Sequence, residues 1–84
     1  MQNQYIYTMQ EIKYNRIKAV LADKDRTSKW LYEKLGVSKM TVSRWVRNDR
    51  QPSIETLYEI AELLKVEVSQ LILPLADVIE QKQT

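Results

Sequence analysis

The chain has 84 residues, 44% hydrophobic and 29% charged, with a net charge of +2, which describes one globular domain with a modest core and excludes a disordered chain. It contains neither Cys nor His, which removes disulfides, thiolate metal sites and the usual general base near neutral pH, so no metal, no cofactor and no enzyme is expected. The apolar runs fall far short of the roughly 20 residues that cross a membrane, and the opening MQNQYIYTMQEIKYN lacks the basic start and apolar stretch of a leader, so a cytoplasmic protein is expected.

In chain order, YIYT at 5–8 alternates aromatic and β-branched types, which fits a short strand or an extended arm over 1–9. From about Gln10 to Lys24, Ile12, Ile17, Val20 and Leu21 recur at helical spacing. Lys24-Asp25-Arg26 reads as a polar turn, and Thr27 as the N-cap of a second helix whose stripe is Trp30, Leu31 and Leu35. That helix stops at Gly36, the single glycine. Ser38 caps a third helix from Lys39 to about Arg47, with Val42, Trp45 and Val46 inward. Asn48-Asp49-Arg50-Gln51-Pro52 is a loop by composition. Ser53 caps a fourth helix, with Ile54, Leu57, Ile60, Ala61 and Leu64 inward. Val66, Val68, Leu71 and Ile72 predict a short fifth helix broken near Pro74, and the tail from Leu75 adds a partial helix. The expected organisation is a single all-α domain over 1–84, a compact five-helix bundle over 10–73 between an arm at 1–9 and a tail at 74–84.

Charge is sorted along this chain. Residues 24–50 carry eight cations against three acids, and residues 51–84 carry two against six. A basic middle attracts polyanions, because Lys and Arg release counterions from phosphate; a basic solvated face is the plainer account of the same residues. Gly36 narrows the choice. Two short helices joined by three residues need one residue at positive φ just past the first, and glycine adopts it without a Cβ penalty. The product is a corner between helices, and a helix-turn-helix is the form of it that frees the second helix for a DNA major groove. The outer positions of that helix are Lys39, Met40, Thr41, Ser43 and Arg44, with no acid among them. Lys and Arg donate to guanine O6 and N7, and Met suits a thymine methyl. Arg47 and Arg50 follow where a helix end meets the phosphate backbone.

Three segments, NRIKAVLADK, TSKWLYEKLGVSKMTVSRW and RQPSIETLYEIAELLKVEVSQLI, resemble the Cro/C1-type (XRE-family) helix-turn-helix domain of phage and bacterial repressors. The resemblance spans residues 15–73. It implies a lambda-repressor-like bundle of five helices, in which helices 28–35 and 39–46 form the DNA-reading unit, and a homodimer on palindromic operators. By position it implies base reading by Lys39, Met40 and Arg44, and phosphate or secondary contacts by Ser28, Lys29, Ser38, Thr41, Ser43, Arg47 and Arg50. The partners so implied are double-stranded DNA and a second copy of the chain. A repressor is the first reading; an antitoxin that also binds a toxin, and an interaction module of the same fold, are the alternatives. The chain departs from the family at several positions. Ser28 replaces a common Gln, Tyr32 a common Ala, and Trp30 a usually polar residue. Trp30 and Tyr32 are expected to cover the first helix. Leu21 and Val46 replace a basic–acidic pair by an apolar one, a compatible swap. Lys65 stands where Gly often ends the fourth helix, which implies a lysine in the left-handed region at a cost of order 1 kcal/mol.

Overall fold

The computed structural model describes residues 12–83, so the arm expected over 1–9 lies outside the described residues. Regular structure runs as α1 (Ile17–Asp23), α2 (Ser28–Leu35), α3 (Lys39–Val46), α4 (Ile54–Leu64), a 3₁₀ turn (Val68–Leu71) and α5 (Leu75–Lys82). The fold is all-α, as expected.

Each of the three predicted N-caps forms, and each does so in the same way. Thr27 Oγ1 accepts from the Trp30 N–H at 3.0 Å, Ser38 Oγ from the Thr41 N–H at 3.1 Å, and Ser53 Oγ from the Thr56 N–H at 3.1 Å. A side-chain oxygen reaching three residues ahead satisfies a donor that a helix start otherwise leaves open. The helix ends are equally local. Gly36 closes α2 at φ 71°, and its N–H donates to the Tyr32 carbonyl at 3.0 Å. Lys65 closes α4 at φ 59°, so lysine does take the left-handed cap.

A Cβ placed on Gly36 meets no atom within 4 Å, so the glycine is required by its backbone angle and not by crowding. Gly36→Val is therefore expected to lose about 1–2 kcal/mol through backbone strain alone. Thermal unfolding checks this: the midpoint should fall by roughly 5–15 °C, and an unchanged midpoint would refute the turn.

The core is one cluster. Ile17, Leu31, Val42, Ile60 and Leu71 are completely buried, one from each element of the bundle up to the 3₁₀ turn. Burying such side chains is worth roughly 1.5–3 kcal/mol each. Trp30 and Tyr32 are half-buried and pack against this cluster, with the Arg26 guanidinium 4.6 Å from the centre of the Trp30 ring. Leu21 is buried and Val46 packs on the cluster, so an apolar pair does occupy those two positions.

Three expectations need correction. Residues 12–16 are not helical; α1 begins at Ile17. The segment is extended because its polar groups find partners far along the chain. Asn15 bridges antiparallel to Ile72, the Arg16 N–H donates to the Leu71 carbonyl at 2.7 Å, and the Leu73 N–H donates to the Tyr14 carbonyl at 2.8 Å. The fifth helix over 66–72 shrinks to the 3₁₀ turn, because Ile72 must be extended (φ −123°, ψ 151°) to make that bridge. Finally, Ile54 is 58% exposed: periodicity places it on the stripe, but it is the first residue of α4 and the packed cluster begins at Leu57.

Candidate nucleic-acid interface

α3 has a clear inside and outside. Val42 is fully buried and Trp45 nearly so, while Met40 and Arg44 are exposed on the opposite side and Lys39 is exposed on the flank, at the start of the helix. Met40, an apolar residue, leaves more than half its surface in water. The α2–α3 corner then brings residues of two helices together. Ser28 and Lys29 from the start of α2, Tyr32, and Lys39, Ser43 and Val46 from α3 line one groove of about 350 Å³. Two lysines and three hydroxyl-bearing residues thus border a single open depression. That is an arrangement for an anionic, hydrogen-bond-accepting ligand such as a phosphate backbone.

The remaining candidates sit at the two ends of α3. Ser38 is committed to the cap, and its hydroxyl lies 2.8 Å from Thr41 Oγ1, so Ser38 and Thr41 shape the helix start. At the other end Arg47 pairs with Asp49 at 3.1 Å, both exposed. An exposed pair of this kind is worth at most about 1 kcal/mol, so it leaves the guanidinium free to exchange partners. Arg50 is exposed, and its N–H donates to the Arg44 carbonyl at 3.3 Å. No candidate is buried away from solvent, and none stands apart from α3 or the start of α2.

Sequence reasoning missed the polar joint beneath this end of α3. Asn15 is only 5% exposed. Its Nδ2 donates to the Trp45 carbonyl at 2.9 Å and to Gln51 Oε1 at 2.8 Å, and its Oδ1 accepts from the Ile17 N–H at 3.0 Å. Asn48, at φ 62°, answers from the loop. Its Oδ1 accepts from the Tyr14 and Asn15 N–H groups at 2.8 and 2.9 Å, and from Gln51 Nε2 at 3.2 Å. Its Nδ2 donates to the Asn15 carbonyl at 3.2 Å. Three amide side chains therefore fasten the last turn of α3 to the extended segment before α1. The available signal was Asn two residues before the apolar run of α1, a cap-like placement that a longer helix concealed.

Residues 17–71, more than half of the chain, match the family model described as helix-turn-helix. The chain belongs to the XRE family of helix-turn-helix proteins. This helix-turn-helix chain is also similar to a crystal structure described as that of "a putative DNA-binding protein from Bacteroides fragilis", with 54% sequence identity and a TM-score of 0.69. The likeness covers 70% of this chain and 95% of that one. No curated protein matches the chain. Among the described residues no helix is long and apolar enough to cross a membrane.

Proposed function

We propose that this helix-turn-helix chain is a transcriptional regulator, in the first instance a repressor, that places α3 in the major groove of duplex DNA. The observation that carries the reading is the exposed, acid-free outer side of α3 beside a groove edged by Lys29 and Lys39. The helix fits: with side chains it is about 10–12 Å across, and the major groove of B-DNA is about 12 Å wide. Lys39, Met40 and Arg44 then reach base edges. Ser28, Lys29 and Ser43 reach phosphate, as do Arg47 and Arg50 beyond the helix end. The description of the Bacteroides fragilis protein as DNA-binding supports the same reading.

One α3 reads only half of a site, so the proposal includes a homodimer on a palindrome. Leu75 and Ile79 favour a two-fold contact through α5: they are one turn apart on that helix and 73% and 43% exposed. Nothing in the reading requires a cofactor or a catalytic step, and the site of action is the cytoplasm.

Selection of bound duplexes from random sequence tests it. The expected result is a palindrome whose half-sites lie about one helical turn, roughly 34 Å, apart. Binding with no enriched sequence would reduce the function to backbone attachment, and no binding would leave an interaction module.

A further inference from the structure

Val46 is a wall shared by several basic grooves. One is the groove of Ser28, Lys29, Tyr32, Lys39 and Ser43 described above. Another, about 410 Å³, is lined by Lys13, Lys18, Val46, Arg47 and Asp49. The cationic surface therefore does not stop at the helix-turn-helix. It continues past the end of α3 onto α1 and the extended segment before it.

Lys13 and Lys18 meet there because the chain changes from extended to helical between them. Both are exposed, and among the described residues neither is in an ion pair. The acid in the groove, Asp49, is taken by Arg47 at 3.1 Å. Three cations, Lys13, Lys18 and Arg47, thus face one acid, and the groove keeps a net charge of +2 whichever of them Asp49 pairs with. The backbone that carries one of these lysines is pinned: the Lys13 N–H donates to Gln81 Oε1 and the Lys13 carbonyl accepts from Gln81 Nε2, both at 2.8 Å. The next two N–H groups are fixed by Asn48 Oδ1. A fixed backbone lowers the entropy lost when a lysine is held on a ligand.

Resting on the DNA-binding reading above, we propose that Lys13 and Lys18 form a second phosphate clamp, which grips the DNA backbone beside the base pairs read by α3. A helix that fills the major groove has a phosphate strand along each flank, and this groove lies at the flank reached from the end of α3. The clamp carries no sequence information. It adds to affinity through counterion release, about 0.9 in the slope of log K against log salt for each phosphate neutralised on duplex DNA.

The test compares the unaltered protein with Lys13→Gln/Lys18→Gln and Lys13→Arg/Lys18→Arg, on the selected duplex across a salt series. The Gln pair is expected to flatten the slope by about 1.8 for each protomer bound, about 3.6 for a dimer on its palindrome, with the same sequence enriched and the thermal midpoint kept; the Arg pair is expected to keep the slope. An unchanged slope in a folded Gln pair overturns the clamp and leaves the helix-turn-helix reading intact. So does an unchanged slope accompanied by loss of the dimer in sedimentation, which would give the groove to an acidic face of a second copy. An unaltered protein that binds no duplex at any salt overturns both readings.

Discussion

Arg44→Ala is expected to blur the protein's choice among DNA sequences more than any other single change on α3. The residue is exposed, one helical turn beyond Met40, on a helix whose opposite side is anchored by Val42 and Trp45. A guanidinium so placed can donate two hydrogen bonds to guanine O6 and N7. Losing them should cost about 1–3 kcal/mol for each half-site, roughly 5- to 150-fold in Kd per half-site, and far less on a duplex with that base pair changed. Affinities measured on both duplexes decide it. Equal losses on the two would reassign Arg44 to phosphate. Arg50, in the loop after α3, serves as the control: its removal should weaken every duplex alike and flatten the salt slope by about 0.9 for each protomer bound.

The largest loss of stability from a polar residue is expected at Asn15. Truncation to Ala leaves the buried Ile17 N–H without its partner, takes one of two donors from the Trp45 carbonyl, which keeps the Asn48 N–H at 2.9 Å, and releases Gln51 Oε1 at the exposed edge of the joint. A buried polar group left unsatisfied costs about 1–3 kcal/mol. Relaxation and partial hydration at the edge of the joint bring the total to about 3 kcal/mol, a large share of the 5–15 kcal/mol that holds a domain folded. The midpoint of thermal unfolding should fall by roughly 12–24 °C. A drop of only a few degrees would show that solvent replaces these bonds readily. Asn15→Asp is a sharper probe: it keeps the acceptor for Ile17 but removes both N–H donors and sets a carboxylate against the Trp45 carbonyl. It should be no more stable than the Ala variant at neutral pH, and should recover part of the loss in acid.

The contrast between what the sequence shows and what it conceals is one of range. Thr27, Ser38 and Ser53 cap helices by reaching three residues ahead, and Gly36 and Lys65 bend the chain within a single turn; interactions this short leave their signature in a window of four or five residues. The outer positions of α3 were legible for the same reason, since helical periodicity alone assigns Val42 and Trp45 inward. Residues 12–16 were not. Ile12 and Ile17 continue an apolar rhythm that reads as helix, while the partners that hold the segment extended, Trp45, Asn48, Ile72 and Gln81, lie between 30 and 68 residues away. The same distance hid the basic groove at Lys13 and Lys18, which exists only because that segment is extended. Ile54 failed in another way: period predicts the side of a helix a residue occupies, but not how far the neighbouring elements extend along it.

The paired bonds between Gln81 and the Lys13 backbone join positions 68 residues apart. A single carboxamide there does what one rung of a β-ladder would do, so loosening of the front of the described chain is coupled to loosening of its last helix. Hydrogen exchange should show this directly. The Lys13 amide and the amides of α5 should open as one cooperative unit, and replacing Gln81 by Leu should split that unit in two, letting each end exchange at its own rate.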